Sequence, residues 1–302
     1  MNRFVFGLLA LSSFAAVAQA DPAFKYEKAP DTGFAPAWDA QVRAGLLFNT
    51  GNARQLAVSA SGMVSYENGF NRARVDADGA LARSQLISAV DADGSGDISP
   101  NEYGRTTATT AQNWLIRARY DRFFGMRTSV FAAGRIGSDV PSGKQLYGGA
   151  QAGVSQMLIK TDMSELVGEV GYDFTAEQYI SIAGINIHSL RAAMTHAQTL
   201  SKTASLNLFG ELLLNLNEEA VPYSRGGSVV PAFADIRFNF GAALQVRIIE
   251  RVSLAVGFKL RYDAAPAPRP AFAPGLPFAA GFRPFAQELD TVTDATIQVD
   301  LI

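Results

Sequence analysis

The residues of this chain whose types and spacing suggest chemistry are the twelve from 91 to 102, DADGSGDISPNE. In the calcium loop of an EF-hand, oxygen ligands recur at positions one, three, five, seven, nine and twelve, and glycine at position six allows a sharp turn. Gly96 occupies the turn position. The ligand positions hold Asp91, Asp93, Ser95, Asp97, Ser99 and Glu102. Because calcium prefers many hard oxygen ligands and Glu102 can supply two, the segment is predicted to bind Ca²⁺.

Two of these positions act indirectly in the calcium-loop template. Asp97 is expected to contribute its backbone carbonyl, and Ser99 a contact through water. Residues 82–90 are compatible with a short entering helix, whereas the Thr-rich segment that follows does not predict an exiting one. A single unpaired loop predicts weak affinity, about 0.1 to 1 mM. The alternative is a flexible acidic surface loop without an ion.

The elements that must hold this segment are predicted to be β-strands, because apolar and polar residues alternate with period two. Near the start, Trp38, Val42 and Leu46 are apolar, and Gln41 and Arg43 between them are polar. The predicted strands are 38–50, 53–66, 70–85, 109–124, 127–139, 146–160, 164–176, 187–201, 203–216, 232–248, 251–264 and 287–301. Their length suits a tilted bilayer crossing better than the five or six residues of an ordinary soluble strand.

The connections between these strands alternate in length. Every second connection is short, as at Asn68-Gly69 and Gly125-Met126. The others, apart from the tight turn at Gly51-Asn52, are longer, and the longest are predicted at 86–108 and 265–286. Lipid offers no hydrogen-bond partner, so a membrane-crossing sheet must close. The pattern predicts an all-β fold, an antiparallel up-and-down outer-membrane β-barrel of about twelve strands. An exported soluble β-sandwich is the alternative.

The polar faces of the predicted strands carry charges of both signs. They include Arg72, Arg74, Asp76, Asp78, Arg117, Arg119, Asp121, Glu165, Glu169, Asp173, Arg191, Glu211, Asp235, Arg237, Lys259, Arg261 and Asp263. Because charges that face lipid are costly, these side chains are predicted to face the lumen. There they form either a structural network, which is the favoured interpretation, or the wall of a narrow channel for small polar solutes.

The ends and the composition bound the remaining possibilities. Residues 1–20 predict an export signal, with a basic start at Arg3, an apolar stretch and a small-residue cleavage site. Residues 21–37 are then a periplasmic lead and 38–302 the barrel. The chain has no cysteine, which excludes disulfides and thiolate chemistry, and its 26 basic and 28 acidic residues provide no basic face for nucleic acid.

Several segments in succession resemble one known family. They are LLFNTGNARQ, RARYDRFF, YGGAQAGVSQMLI, VGYDFTAEQY, LRYDAAPAP and ELDTVTDATIQVDLI. In this order, across residues 38–302, they resemble the salt-induced outer-membrane protein (YdiY-like) family. The resemblance implies a β-barrel in the bacterial outer membrane, and it brings no catalytic residues and no defined biochemical role.

Lipid hydrolysis is a remote alternative. Outer-membrane phospholipases carry a histidine and a serine two residues apart on the lipid-facing side of one strand. His188 and His196 lie on the apolar face of the eighth predicted strand, but neither has a serine two residues away. We therefore predict that the chain is not an enzyme.

Together these patterns predict an outer-membrane barrel with a structural or envelope-stress role. Ca²⁺ is expected to order the external loop at 86–108, beside the barrel mouth. The expected partners are outer-membrane lipid, the lipopolysaccharide near the external loops, and the barrel-insertion machinery during biogenesis.

Overall fold

The computed structural model describes residues 36–49, 55–89, 99, 103–180, 182–221, 227–266, 285 and 287–300. The predicted export signal, nearly all of the predicted lead and every predicted calcium ligand except Ser99 lie outside these residues. The described strands are β1 (Ala37–Asn49), β2 (Gln55–Asn68), β3 (Asn71–Ala89), β4 (Tyr103–Phe124), β5 (Thr128–Asp139), β6 (Lys144–Lys160), β7 (Ser164–Tyr179), β8 (Ile185–Thr199), β9 (Ala204–Asn215), β10 (Ile236–Ile249), β11 (Val252–Asp263) and β12 (Leu289–Asp300).

These twelve strands form one closed barrel. Each strand pairs antiparallel with its neighbours in sequence, and β1 pairs with β12 from Gln41 opposite Asp300 to Ala44 opposite Ile297. Closure removes the free edges that a sheet in hydrocarbon cannot tolerate. The predicted up-and-down β-barrel is confirmed. No helix in the described part of the chain is long and apolar enough to cross a membrane.

The two faces of the barrel wall have the opposite chemistry to a soluble domain. Large apolar side chains point outward and remain exposed, such as Leu46 at 73 % and Val170 at 61 %. Charged side chains point inward and are buried, such as Arg119 at 3 % and Arg191 at 0 %. A soluble sandwich would bury its apolar face in a core. This wall instead matches the apolar-out, polar-in pattern of a transmembrane barrel.

The connections divide the barrel into two unlike ends. The short-turn end consists of the connections 69–70, 125–127, 161–163, 200–203 and 250–251, and the long-loop end of 50–54, 90–102, 140–143, 180–184, 216–235 and 264–288. Gly69 and Gly125 have φ angles of 58° and 79° in the short turns. Glycine adopts this left-handed region without the steric cost of a Cβ, so the tight reversals occur at these positions.

The predicted boundaries of β3 and β4 were wrong by several residues. The two strands pair with each other out to Ala89 opposite Tyr103, so their connection is 90–102 rather than 86–108. The possible helix at 82–90 was also wrong, since 82–89 is strand. Pairing with β4 has overridden any local helical preference of this segment.

The extra residues of β3 and β4 form a ribbon that leaves the barrel. Strand β2 pairs with β3 only as far as Ser84, and the ladder between β4 and β5 begins at Asn113. Beyond these residues, in the described part of the chain, the strand ladders of β3 and β4 join them only to each other. The connection 90–102, which contains the whole predicted calcium segment, therefore joins the two strands at the tip of this ribbon.

Candidate functional site

A chain of buried ion pairs crosses one half of the lumen. Arg119 Nη2 on β4 donates to Glu169 Oε1 on β7 at 2.7 Å. The other oxygen of Glu169 accepts a hydrogen bond from Arg191 Nη1 on β8 at 2.8 Å, and Arg191 Nε donates to Glu211 Oε1 on β9 at 2.5 Å. We name these four residues the central network. Its side chains are at most 2 % exposed, so water does not reach between them.

The central network is charge-balanced and continues to both sides. Arg119 also donates to Asp121 at 2.7 Å, which in turn accepts from Arg72 on β3 at 3.3 Å. At the other side, Asn239 Nδ2 on β10 donates to Glu211 at 2.9 Å. Each buried charge thus meets an opposite charge and further hydrogen-bond donors or acceptors, which is what makes charge burial tolerable. The network extends from β3 to β10.

An aromatic ring supports the two arginines of the central network. The guanidinium carbons of Arg119 and Arg191 lie 4.1 Å and 5.6 Å from the ring centroid of Phe131 on β5. A Cβ added at Gly153 would lie 2.9 Å from this ring and 2.4 Å from the carbonyl oxygen of Val170. Glycine is therefore needed here, because any side chain would displace the ring or the adjacent strand.

The opposite half of the lumen is accessible to water. Inward-facing positions on β10 from Arg237 to Gln245, on β11 from Gly257 to Asp263 and on β1 from Asp39 to Gly45 are half-buried, whereas those on β4 from Asn113 to Phe123 and on β8 from Ile187 to Ala193 are buried. Many of these accessible positions carry little or no side chain: Gly45, Gly241, Ala243 and Gly257. The lumen is asymmetric, with one half filled by ion pairs and the other lined by small residues.

A small cavity of about 80 Å³ lies inside the barrel at the long-loop end. Asn113, Asp139, Tyr147, Arg261 and Asp263 contribute to its wall. Arg261 Nη1 on β11 lies 3.8 Å from Asp139 Oδ2 on β5, so side chains from opposite walls approach each other here. We name this space the mouth cavity.

The connection between β9 and β10 folds inward over part of the mouth. Its residues Val221 and Val230 are buried against Tyr179, Ile185 and Ile187 of β7 and β8. Two backbone hydrogen bonds between Glu219 and Val230 hold the connection in this position. We name this packed segment the mouth cap, and it narrows access to the lumen over β7 and β8.

Two carboxyl groups within the connection that forms the mouth cap are buried and incompletely hydrogen-bonded. Asp235 Oδ2 accepts from Arg237 Nε at 2.7 Å, and Glu219 Oε1 accepts from Asn215 Nδ2 at 3.1 Å. Asp235 Oδ1 and Glu219 Oε2 have no partner in the described part of the chain. Burial raises the pKa of Asp235 to about 8 despite Arg237, and burial also raises the pKa of Glu219. Both groups therefore favour the protonated form more than an exposed carboxyl does.

The predicted calcium segment lies, apart from Ser99, outside the described residues. Asp91, Asp93, Ser95, Asp97 and Glu102 all lie outside them. Within the described ranges, no group of three or more His, Cys, Asp or Glu residues is arranged to hold a metal ion. The predicted Ca²⁺ ligands remain a prediction from the sequence.

The histidines have partners that sequence reasoning missed. His196 Nε2 lies 2.9 Å from Ser164 Oγ of the neighbouring strand β7, and His188 Nδ1 shares a hydrogen bond with the Tyr172 hydroxyl. The spacing of residues along one strand does not reveal a serine that lies on the neighbouring strand. A serine and histidine alone lack the group that orients the base, and in the described residues no carboxylate is hydrogen-bonded to His196.

Several solved structures are similar to this chain in shape. The translocator domain of the autotransporter NalP from Neisseria meningitidis has a TM-score of 0.40 at 11 % identity, covering 88 % of this chain and 87 % of that one. The transport unit of the autotransporter AIDA-I from Escherichia coli has a TM-score of 0.36 at 8 % identity, covering 94 % and 95 %. The outer-membrane channel DcaP of Acinetobacter baumannii has a TM-score of 0.33 at 8 % identity, covering 88 % and 95 %. The fold assignment rests on the strand pairing of this chain and not on these similarities.

Sequence comparison gives one assignment. No curated protein matches the chain. The model of the family described as "Protein of unknown function, DUF481" matches residues 42–271, which is most of the chain and spans the barrel from within β1 to the end of β11. The chain belongs to the DUF481 family.

Proposed function

We propose that this protein is a structural barrel of the bacterial outer membrane, and that its lumen does not form an open pore. The observation that carries the proposal is the burial of the central network, Arg119, Glu169, Arg191 and Glu211. A general porin needs a wide aqueous lumen, whereas these buried side chains form an ion-pair chain that joins β4, β7, β8 and β9 inside the barrel. No catalytic role is proposed.

The outward face supports the membrane location. Exposed apolar side chains occur on all twelve strands, and the rings of Trp38 and Tyr66 pack against each other in a tilted arrangement near the short-turn end, with centroids 4.6 Å apart. Amphipathic rings of this kind suit the boundary between lipid and water. In this proposal the short-turn end faces the periplasm and the long-loop end faces outward, as in other outer-membrane barrels. Insertion would then require the general barrel-insertion machinery.

We further propose that the connection at the ribbon tip binds Ca²⁺ through Asp91, Asp93, Ser95, Asp97 and Glu102. The support is the match of these residues to the calcium-loop template and the position of 90–102 between two paired strands. Bound calcium would neutralise the acidic tip, and anionic lipopolysaccharide is its expected neighbour. A role in the response to salt or other envelope stress is the physiological setting that we infer from the family resemblance.

A narrow channel for small polar solutes is the second candidate. The observation that favours it is the half-buried set of inward-facing positions along β10, β11 and β1, where a Cβ added at Gly241 would meet nothing within 4 Å. Such a passage would lie off the barrel axis, between the ion pairs and the opposite wall. The two candidates differ in whether this space is continuous from one end of the barrel to the other.

Conductance across a planar lipid bilayer separates the two candidates. For the structural barrel we expect no steady current from the purified full-length protein, with or without calcium. Replacing Arg191 by Ala removes the centre of the ion-pair chain and is expected to allow current. The matched control is Arg251→Ala, an exposed residue of the short-turn end. A stable current from the unaltered protein would reject the closed barrel in favour of the channel.

A further inference from the structure

We propose that the mouth cavity binds a small amino-acid zwitterion, a solute with one carboxylate and one primary ammonium group. This inference goes beyond the structural role and does not require that the barrel conducts. It rests on the charged and polar groups around the cavity, in particular on Arg261 and Asp263, whose ion pairs are long, and on Asn113, which has a buried acceptor without a partner in the described part of the chain.

Arg261 is the anchor for the carboxylate end. Its ion pair with Asp139 has a separation of 3.8 Å, which is too long for a direct hydrogen bond, and its side chain is 30 % exposed. Two other cations of the cavity are already held closely, since Lys144 and Arg237 contact Glu177 at 2.6 Å and 2.9 Å. A guanidinium presents parallel N–H donors that match the two oxygens of a carboxylate. A ligand carboxylate would therefore bind Arg261.

Asp263 and Asn113 provide acceptors for the ammonium end. Asp263 follows Arg261 by two residues on the inner face of β11, a spacing of about 7 Å along a strand. Its Oδ1 atom accepts a hydrogen bond from the backbone N–H of Ala265 at 3.0 Å, and its ion pair with Arg237 is long, at 3.9 Å. The Asn113 Oδ1 atom is buried and has no hydrogen-bond partner in the described part of the chain. A buried acceptor without a partner is costly, and an ammonium N–H donor would satisfy it.

The overall character of the mouth cavity disfavours other small ligands. Its lining includes four basic and five acidic side chains, so neither a simple anion nor a simple cation matches it. In the described ranges no cluster is suited to a metal ion. The volume of about 80 Å³ corresponds to roughly three water molecules at the volume that each occupies in the liquid. That space fits a solute of about the size of alanine.

The test uses the full-length protein in detergent and equilibrium dialysis with radiolabelled L-alanine. We expect saturable binding of one alanine per chain. Arg261→Gln and Asp263→Asn should each weaken binding by about tenfold or more, because each removes a charged hydrogen-bonding group. Lys202→Gln, at the exposed short-turn end, is the control and should bind like the unaltered protein.

Competition on the unaltered protein tests the two-ended recognition without any substitution. Propionate carries only the carboxylate and ethylamine only the ammonium, so each should compete at least about tenfold less well than unlabelled alanine. Absence of saturable alanine binding would overturn the proposal, as would competition by propionate as strong as by alanine. Unchanged alanine binding in both variants, with thermal unfolding like the unaltered protein, would place any binding elsewhere.

Discussion

Arg261 and Asp139 approach to 3.8 Å although their strands, β11 and β5, lie six positions apart in the ring of twelve. In such a ring six positions separate opposite walls. Long charged side chains therefore span the lumen at the long-loop end, while inward-facing glycine and alanine leave room along β10 and β11. The interior of this barrel is thus divided across its width, and the two halves should differ in their access to water.

Cysteine labelling can test this division directly, because the chain has no cysteine of its own. Ala243 and Ala193 both face inward, on β10 and β8, but Ala243 is half-buried and Ala193 is 5 % exposed. We expect Ala243→Cys to react with a water-soluble thiol reagent and Ala193→Cys to remain unmodified in the folded protein. Both should react after unfolding. Equal, rapid labelling of the two variants would contradict the asymmetric lumen.

The central network makes a prediction about stability. Arg191→Met leaves Glu169 and Glu211 buried without their shared cation, and removal of one partner from a buried pair costs about 3–5 kcal/mol. The midpoint of thermal unfolding, followed by circular dichroism, should therefore be lower for Arg191→Met than for the unaltered protein. Adding Glu211→Gln to this variant should recover part of the lost stability, because it removes one of the uncompensated buried charges. The exposed Arg251→Met should change stability by less than about 0.5 kcal/mol.

Gly153 and Gly241 offer a matched pair of substitutions. Both lie in strands and face the lumen, but a Cβ at Gly153 would clash with a backbone oxygen at 2.4 Å, and at Gly241 it would meet nothing within 4 Å. Gly153→Ala should therefore destabilise the barrel by about 1–3 kcal/mol through crowding around Phe131. Gly241→Ala should be neutral or slightly stabilising. A similar loss in both variants would show that strand flexibility, rather than space, is what matters.

The barrel itself was predictable from the sequence, because hydrocarbon imposes the same alternation on every strand. From the sequence alone, Trp38 and Leu46 indicate the outer face of their strand. The inward direction of Arg119 and Glu169 follows from the same two-residue alternation of apolar and polar side chains. The partnership of Arg119 with Glu169 was not predictable. These residues are 50 apart in sequence and three strands apart in the ring, so their contact depends on the curvature and stagger of the closed sheet.

The predictions from sequence failed where contacts across strands decide the structure. The ribbon of β3 and β4 exceeds its predicted length because its two strands stabilise each other beyond the barrel, which alternation in one segment does not reveal. The contact of Ser164 with His196 was missed for the same reason. The mouth cap depends on long-range packing of Val221 and Val230, for which the sequence contains no periodic signal.

The mouth cap should be less stable at higher pH. The pKa of Asp235 is raised to about 8 in the folded protein, and burial is the main cause. Below about pH 4 the carboxyl is protonated in both the folded and unfolded states. As the pH rises from about 4 to 8, the unfolded chain loses the proton first, so the free energy of unfolding falls across this range. Glu219, whose pKa is also raised, acts in the same direction.

This pH dependence can be assigned by substitution. Arg237, Asp263, Glu219 and Glu177 also act on Asp235, so the comparison must isolate this one carboxyl. Asp235→Asn cannot ionise, and its loss of stability between pH 5 and 8 should be smaller than that of the unaltered protein. Glu250→Gln, exposed at the short-turn end, should retain the full dependence. Identical pH profiles for Asp235→Asn and the unaltered protein would contradict the assignment.

The ribbon tip makes the last prediction, which concerns calcium. Glu102 stands at the twelfth position of the predicted loop and would supply two oxygens, so Glu102→Gln should weaken calcium binding by about tenfold or more. Isothermal titration of the full-length protein measures this directly. Limited proteolysis provides a second readout, because bound calcium should slow cleavage within 90–102. Asp162→Asn, in a short turn at the other end of the barrel, is the matched control. Cleavage at the same rate with calcium and with chelator would exclude an ion-ordered tip, since a loop that binds the ion through six positions cannot remain as accessible to a protease as the free loop.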